Sequence, residues 1–101
     1  MGNRYVRSTD GSNADDGSTW ALADLDLAGA TAGDSAGDRI FVSQAHAEST
    51  AASITVALAG TNAAPSQVLC GDDAAEPPTA LATTATVTTT GASNIIITGS
   101  C

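Results

Sequence analysis

Large apolar residues fall in short clusters along this chain, divided by stretches of Gly, Asp, Asn, Ser and Pro, and the clusters change character near residue 38. The first, Asn3-Arg-Tyr-Val-Arg7, reads as an opening strand carrying Tyr5 and Val6. It runs into a polar, turn-rich loop, Ser8-Thr-Asp-Gly-Ser-Asn-Ala-Asp-Asp-Gly17. Ser18 or Thr19 then suits a helix cap, and Trp20, Ala23, Leu27 and Ala30 recur at helical spacing as far as Gly33, which predicts a helix there. Leu22 and Leu25 fall off that stripe, and Asp24-Leu-Asp-Leu27 alternates as a strand would. After Gly37-Asp38 five β-rich runs follow and no second helix: Arg39-Ile-Phe-Val-Ser43, Ile54-Thr-Val-Ala-Leu58, Ser66-Gln-Val-Leu-Cys70, Ala85-Thr-Val-Thr-Thr89 and Asn94-Ile-Ile-Ile-Thr98.

The spacing of these runs is close to regular. Ile40 to Val68 is 28 residues, Val68 to Ile95 is 27, and Val56 to Val87 is 31. A period of roughly 20 to 50 residues marks a solenoid in which each round stacks on the one before, and residues 40, 68 and 95 would then lie in one stack. In such a round Val and Ile face a narrow interior while Thr and Ser cover the outside, as Thr84-Ala-Thr-Val-Thr-Thr-Thr90 suggests. Gly60, Gly71, Gly91 and Gly99 each close a strand, where the chain must turn a corner. Short strands at this spacing are equally the signature of a small antiparallel β-sandwich, and periodicity alone leaves both open.

Composition narrows the size of the core. Alanine, threonine, serine and glycine make 55 of the 101 residues, and Ile, Val, Leu, Phe, Trp, Tyr and Met together make 20. One small domain with a thin core is expected, one that leans on a partner. Eleven acids against three arginines and no lysine give a net charge of −8. Such a surface lacks the cations that neutralise phosphates, so neither nucleic acid nor an anionic membrane is an expected partner. No apolar run reaches the roughly 18 residues of a membrane span, and Met-Gly-Asn-Arg-Tyr-Val-Arg is not a secretory leader. Cys70 and Cys101 have no zinc spacing and are read as free thiols.

The candidate chemistry is sparse. His46 with Glu48 lacks the second ligand of a zinc motif, and is read as a surface-loop histidine. The loop from Asp10 to Gly17 is acidic, but its spacing departs from a calcium loop, and Ala21 stands where the closing Glu would be. Asp72, Asp73 and Glu76 precede Pro77-Pro78 and read as an exposed acidic loop, while Asp34 and Asp38 are a carboxylate pair of no specificity. With one histidine, and no Lys or Arg after Arg39, no catalytic constellation forms, and no cofactor or metal site is assigned. Arg4 and Arg7, placed on one side of the first strand with Tyr5 between them, are the candidate partner-binding residues; neutralising Asp10, Asp15 or Asp16 is their alternative role.

Arg4-Tyr-Val-Arg-Ser8, Asp10-Gly, Asp16-Gly-Ser-Thr-Trp20, the Ala/Leu stretch and Ala36-Gly-Asp-Arg-Ile-Phe-Val-Ser43 together resemble the first segment of right-handed parallel β-helix proteins of the pectate-lyase-like superfamily. His46-Ala-Glu48, Pro65-Ser-Gln-Val-Leu-Cys70 and Asn94-Ile-Ile-Ile-Thr-Gly99 are similar to β-helix proteins of tailed phages. The resemblance implies a mainly β fold, a short right-handed parallel β-helix. Residues 1–38 would form its strand, Gly/Asp loop and capping helix, with Trp20, Ala23 and Leu27 as a lid, and residues 39–101 its coils. The apolar last strand has no polar cap, so that end is expected to dock on another chain or to continue into a longer protein. The function implied is that of a non-enzymatic virion protein made in the host cytoplasm, a capsid decoration or cement protein. Its partners would be the major capsid protein or other virion proteins, and its own form a homotrimer. The alternative is the N-terminal part of a tailspike or tail fibre that binds or cleaves host polysaccharide.

Overall fold

The computed structural model describes residues 2–91 and 93–98. Seven strands and one helix follow in the order β1 (Asn3–Val6), α1 (Leu27–Thr31), β2 (Arg39–Ser43), β3 (Ala47–Thr50), β4 (Ile54–Ala57), β5 (Gln67–Gly71), β6 (Thr86–Thr89) and β7 (Ile95–Thr98). They make three small sheets, β1-β2-β5, β3-β6 and β4-β7. Every ladder between these strands is parallel, which an antiparallel sandwich does not allow. The strands β2, β3 and β4 are followed by β5, β6 and β7, which pair onto them in the same order.

The register keeps the first interval expected from the sequence and breaks the others. Ile40 pairs with Val68, 28 residues on. Glu48, however, pairs with Val87 and Ile54 with Ile95, intervals of 39 and 41. The drift comes from the corners: three residues join β2 to β3 and fourteen join β5 to β6, which adds eleven. Three join β3 to β4 and five join β6 to β7, which adds two more. Thus residues 40, 68 and 95 do not stack, and Val56 meets Ile97 instead of Val87.

The helix is much shorter than the apolar spacing predicts. Asp26 caps it, its carboxylate accepting from the Gly29 N–H at 2.7 Å, and only five residues follow. Residues 18–25 are turns and bends with a single strand-like bridge from Val6 to Asp24, the position where the sequence alternates as a strand. Trp20 and Ala23 therefore do not share a face with Leu27 and Ala30. Leu27 and Ala30 join the interior cluster of Val6, Ile40, Val42, Ile54, Val56 and Leu58. Trp20 and Ala23 pack instead with Tyr5 and Phe41 on the opposite side of β1 and β2. Trp20 meets Tyr5 edge to face at 4.7 Å, and Tyr5 stacks on Phe41 at 5.7 Å, so these two strands are covered on both faces.

The outer edge of β1 is also closed. Tyr5 N–H donates to Gly17 O, Asp24 N–H to Tyr5 O, and Arg7 N–H to Asp24 O. This close lacing is why glycine sits at 11 and 17. A Cβ on Gly11 would lie 2.2 Å from Arg7 O and 2.4 Å from Asp24 O, and Gly17 has φ +71° with the Asp24 carboxylate against it. Among the corner glycines, Gly91 takes φ +68° after β6, while Gly99 lies outside the described residues.

Candidate docking surface

The residues singled out in the sequence for chemistry mostly tie the chain to itself. Arg4 donates to Ala30 O at 3.1 Å and to Asp16 O at 2.8 Å, with Asp24 at 3.6 Å. Arg7 lies just beyond β1 and an odd number of residues from Arg4, so strand alternation sends the two to different sides. It forks onto Asp10 at 2.7 and 3.0 Å, reaches Asp73 at 3.4 Å and Trp20 O at 3.1 Å, and lies 5.5 Å from the centre of the Trp20 ring. Tyr5 is buried. Local neutralisation by Arg7 of Asp10 is thus present in the structure.

The acids of residues 72–76 are drawn into the same network. Asp73 accepts from Ser43 Oγ at 2.8 Å, and this bond and the Arg7 charge hold its carboxyl below the usual range. Glu76 accepts from Trp20 N–H at 2.7 Å, and the Trp20 indole donates to Ala75 O at 2.9 Å. Asp72 closes its own loop onto Ala74 and Ala80. Asp34 and Asp38 do not converge on a common site. Asp34 accepts from Ala59 N–H and Ser66 Oγ, and Asp38 from Gly2 N–H and Ser35 N–H. Asp24 is the exception: its Oδ2 is buried without a hydrogen-bond partner, and burial pushes its carboxyl up against the opposing pull of Arg4.

His46 is not a surface residue. It is fully buried at the corner between β2 and β3, and its Nε2 is hydrogen-bonded to Glu48 Oε1 at 2.7 Å, while Nδ1 has no partner. The same Glu48 oxygen accepts from Leu27 N–H at 3.0 Å. The pair therefore anchors the start of α1 to β3. Among the described residues, no group of three or more His, Cys, Asp or Glu is placed to hold a metal ion. Cys70 is a half-buried free thiol on β5, and Cys101 lies outside the described residues.

What remains is the end of the three sheets. Strands β5, β6 and β7 each pair on one side only with another named strand. Residues 80–82 cross the far end of β5, where Ala82 N–H donates to Cys70 O and Leu81 bridges Gly71. The other edge positions of these strands meet no further strand among the described residues. The side chains show the same asymmetry. Ile54 and Val56 on β4 are buried, but their register partners on β7, Ile95 and Ile97, are 42% and 61% exposed. Ile40 on β2 is buried, and its partner Val68 is 40% exposed. A cavity of about 390 Å³ opens between β5 and β7, lined by Leu27, Val56, Leu58, Val68, Leu69 and Ile97 together with Ser66 and Gln67.

The thirteen residues of these three edge strands include no Asp, Glu, Lys, Arg or Pro. Proteins ordinarily blunt an open edge with those residue types, because a bare row of N–H and C=O groups templates further pairing. The sequence pattern marks an apolar β7 but puts Val68 and Ile95 in the core. The signal it lacked was the register, which assigns these side chains to the last layer.

No protein-family model matches this chain, and neither a curated protein nor a solved structure matches it. Among the described residues, no helix is long and apolar enough to cross a membrane.

Proposed function

We propose that this chain is a non-enzymatic assembly protein of a tailed-phage virion, a capsid decoration or cement protein built as a short right-handed parallel β-helix. The observation that carries the assembly role is the uncharged, apolar end formed by β5, β6 and β7, which offers backbone edges and Val68, Ile95 and Ile97 to a neighbour. Three parallel sheets whose strands recur in one order support the β-helix. The acids and arginines engaged in internal bonds support a structural role over catalysis. The phage assignment rests on the resemblance of residues 4–43 and of the later strands to such proteins.

The same open edges favour a second reading, because they would equally accept further rounds of a tailspike or tail fibre. Gel stoichiometry of purified particles separates the two. A band in proportion to the major capsid protein supports decoration. A trace band, together with release of sugar from host polysaccharide, supports the tailspike. Absence from particles overturns the virion role.

A further inference from the structure

We propose that the open end is covered by a second copy of this chain, docked face to face across a two-fold axis. The inference rests on the solenoid reading, in which β5, β6 and β7 ring one end of the molecule.

Three observations choose this occupant. First, the face carries no ionised side chain in its three edge strands, although the chain as a whole carries a net charge of −8. Two copies approaching by any acidic surface would repel, and here that repulsion is least. Second, the opposite end is partly closed to head-to-tail stacking. The outer edge of β1 is laced to residues 17–24, the Leu27 N–H at the start of α1 is bound by Glu48, and Asp34 holds Ala59 N–H beyond β4. β3 and β4 also lack a further strand on their outer edges, but they carry the charged Glu48 and no exposed large apolar side chain, so the favoured contact joins like ends, is isologous and closes as a dimer without growing into a filament. Third, the size suffices. The molecule measures 35 × 31 × 26 Å, and its smallest face, 31 by 26 Å, outlines roughly 800 Å², the per-partner area of a stable interface.

A two-fold axis lying in the plane of this face reverses every strand, so each edge meets an edge of the mate running antiparallel. The β7 edges bring Ile95 and Ile97 into the contact, and Val68 is covered in the same step. A threefold axis perpendicular to the face would leave all of these edges open, so the homotrimer expected from the family resemblance does not account for this surface.

The test is sedimentation of the 101-residue chain from about 1 to about 100 µM, a range that brackets micromolar affinity. The expected species has twice the 9.8 kDa chain mass. Ile97→Lys and Val68→Lys should each weaken it by at least about tenfold, since each sets a charge in the dry contact. Both positions are exposed in the single chain, so the fold should survive, as circular dichroism would check. Leu22→Lys and Leu25→Lys, at exposed apolar positions outside this face, should leave the dimer unchanged. A monomer throughout the range, a trimeric mass, an open-ended series, or a dimer indifferent to both Lys variants at the open end overturns the proposal. A monomeric chain that is abundant in particles would sink the dimer alone, and a dimer absent from particles would sink the virion role alone.

Discussion

Ile40 and Val68 are register partners on adjacent parallel strands, and they should respond very differently to truncation. Ile40→Ala removes three carbons from a side chain with no exposure. At about 0.8 kcal/mol per buried carbon this costs about 2.4 kcal/mol in transfer alone. The hole left in the cluster of Val6, Val42 and Val56 brings the total to about 3–4 kcal/mol, within the range of such core truncations. Val68→Ala removes two carbons from a side chain already 40% exposed, so it should cost about 1 kcal/mol. Urea unfolding followed by fluorescence of Trp20, the sole tryptophan and a buried one, reads both, at a concentration where the chain sediments as a monomer. With m near 1 kcal/mol/M, the midpoint should fall by about 3 M for Ile40→Ala and about 1 M for Val68→Ala. Equal losses would refute the placement of β2 as a covered strand and β5 as an open one.

Other consequences are equally direct. Glu48→Ala should cost about 2 kcal/mol in the same assay, because it strips the buried His46 of its partner and frees the Leu27 N–H; a neutral result would detach that pair from the stability of α1. Gly11→Ala should destabilise by more than the about 1 kcal/mol typical of an exposed Gly substitution, since backbone stands on both sides of the new methyl; wild-type stability would show that the loop can open. The two shifted carboxyls predict opposite pH slopes. Asp73 sits below its ordinary range, so it contributes stability above about pH 4 that is lost on acidification, and Asp73→Asn should flatten the acid limb. Asp24 sits above its ordinary range, so the native state holds its proton longer and stability falls as pH rises past about 4; Asp24→Asn should remove that decline, and urea midpoints measured across pH decide both.

Much of the architecture was legible because strands with large apolar residues announce themselves. Residues 39–43, 54–57, 67–71, 86–89 and 95–98 all fall within or one residue beyond the runs read from the sequence. β3 did not, since Ala47-Glu-Ser-Thr50 has no large apolar side chain and is a strand only because β6 pairs with it. Missing β3 also hid the register. The equal intervals in the sequence linked Val68 to Ile95, whereas the long corner of residues 72–85 shifts the true partners to 39 and 41 residues. The helix was overextended for a related reason. Trp20, Ala23, Leu27 and Ala30 fit a 3.6-residue period, yet a turn followed by five helical residues satisfies the same spacing while sending the first pair to the aromatic cluster. The burial of His46 and the linking of Arg7 to Asp73 depend on contacts between distant residues, which composition and spacing do not encode.

Strands that recur in one order and stack in parallel with drifting intervals leave β5, β6 and β7 without a further strand among the described residues. Backbone contacts across the sheets, measured by nuclear Overhauser effects on the labelled chain, test this arrangement. Contacts are expected between Ile40 and Val68, Glu48 and Val87, and Val56 and Ile97. Contacts between Val68 and Ile95, or antiparallel patterns between the named strands, would contradict it.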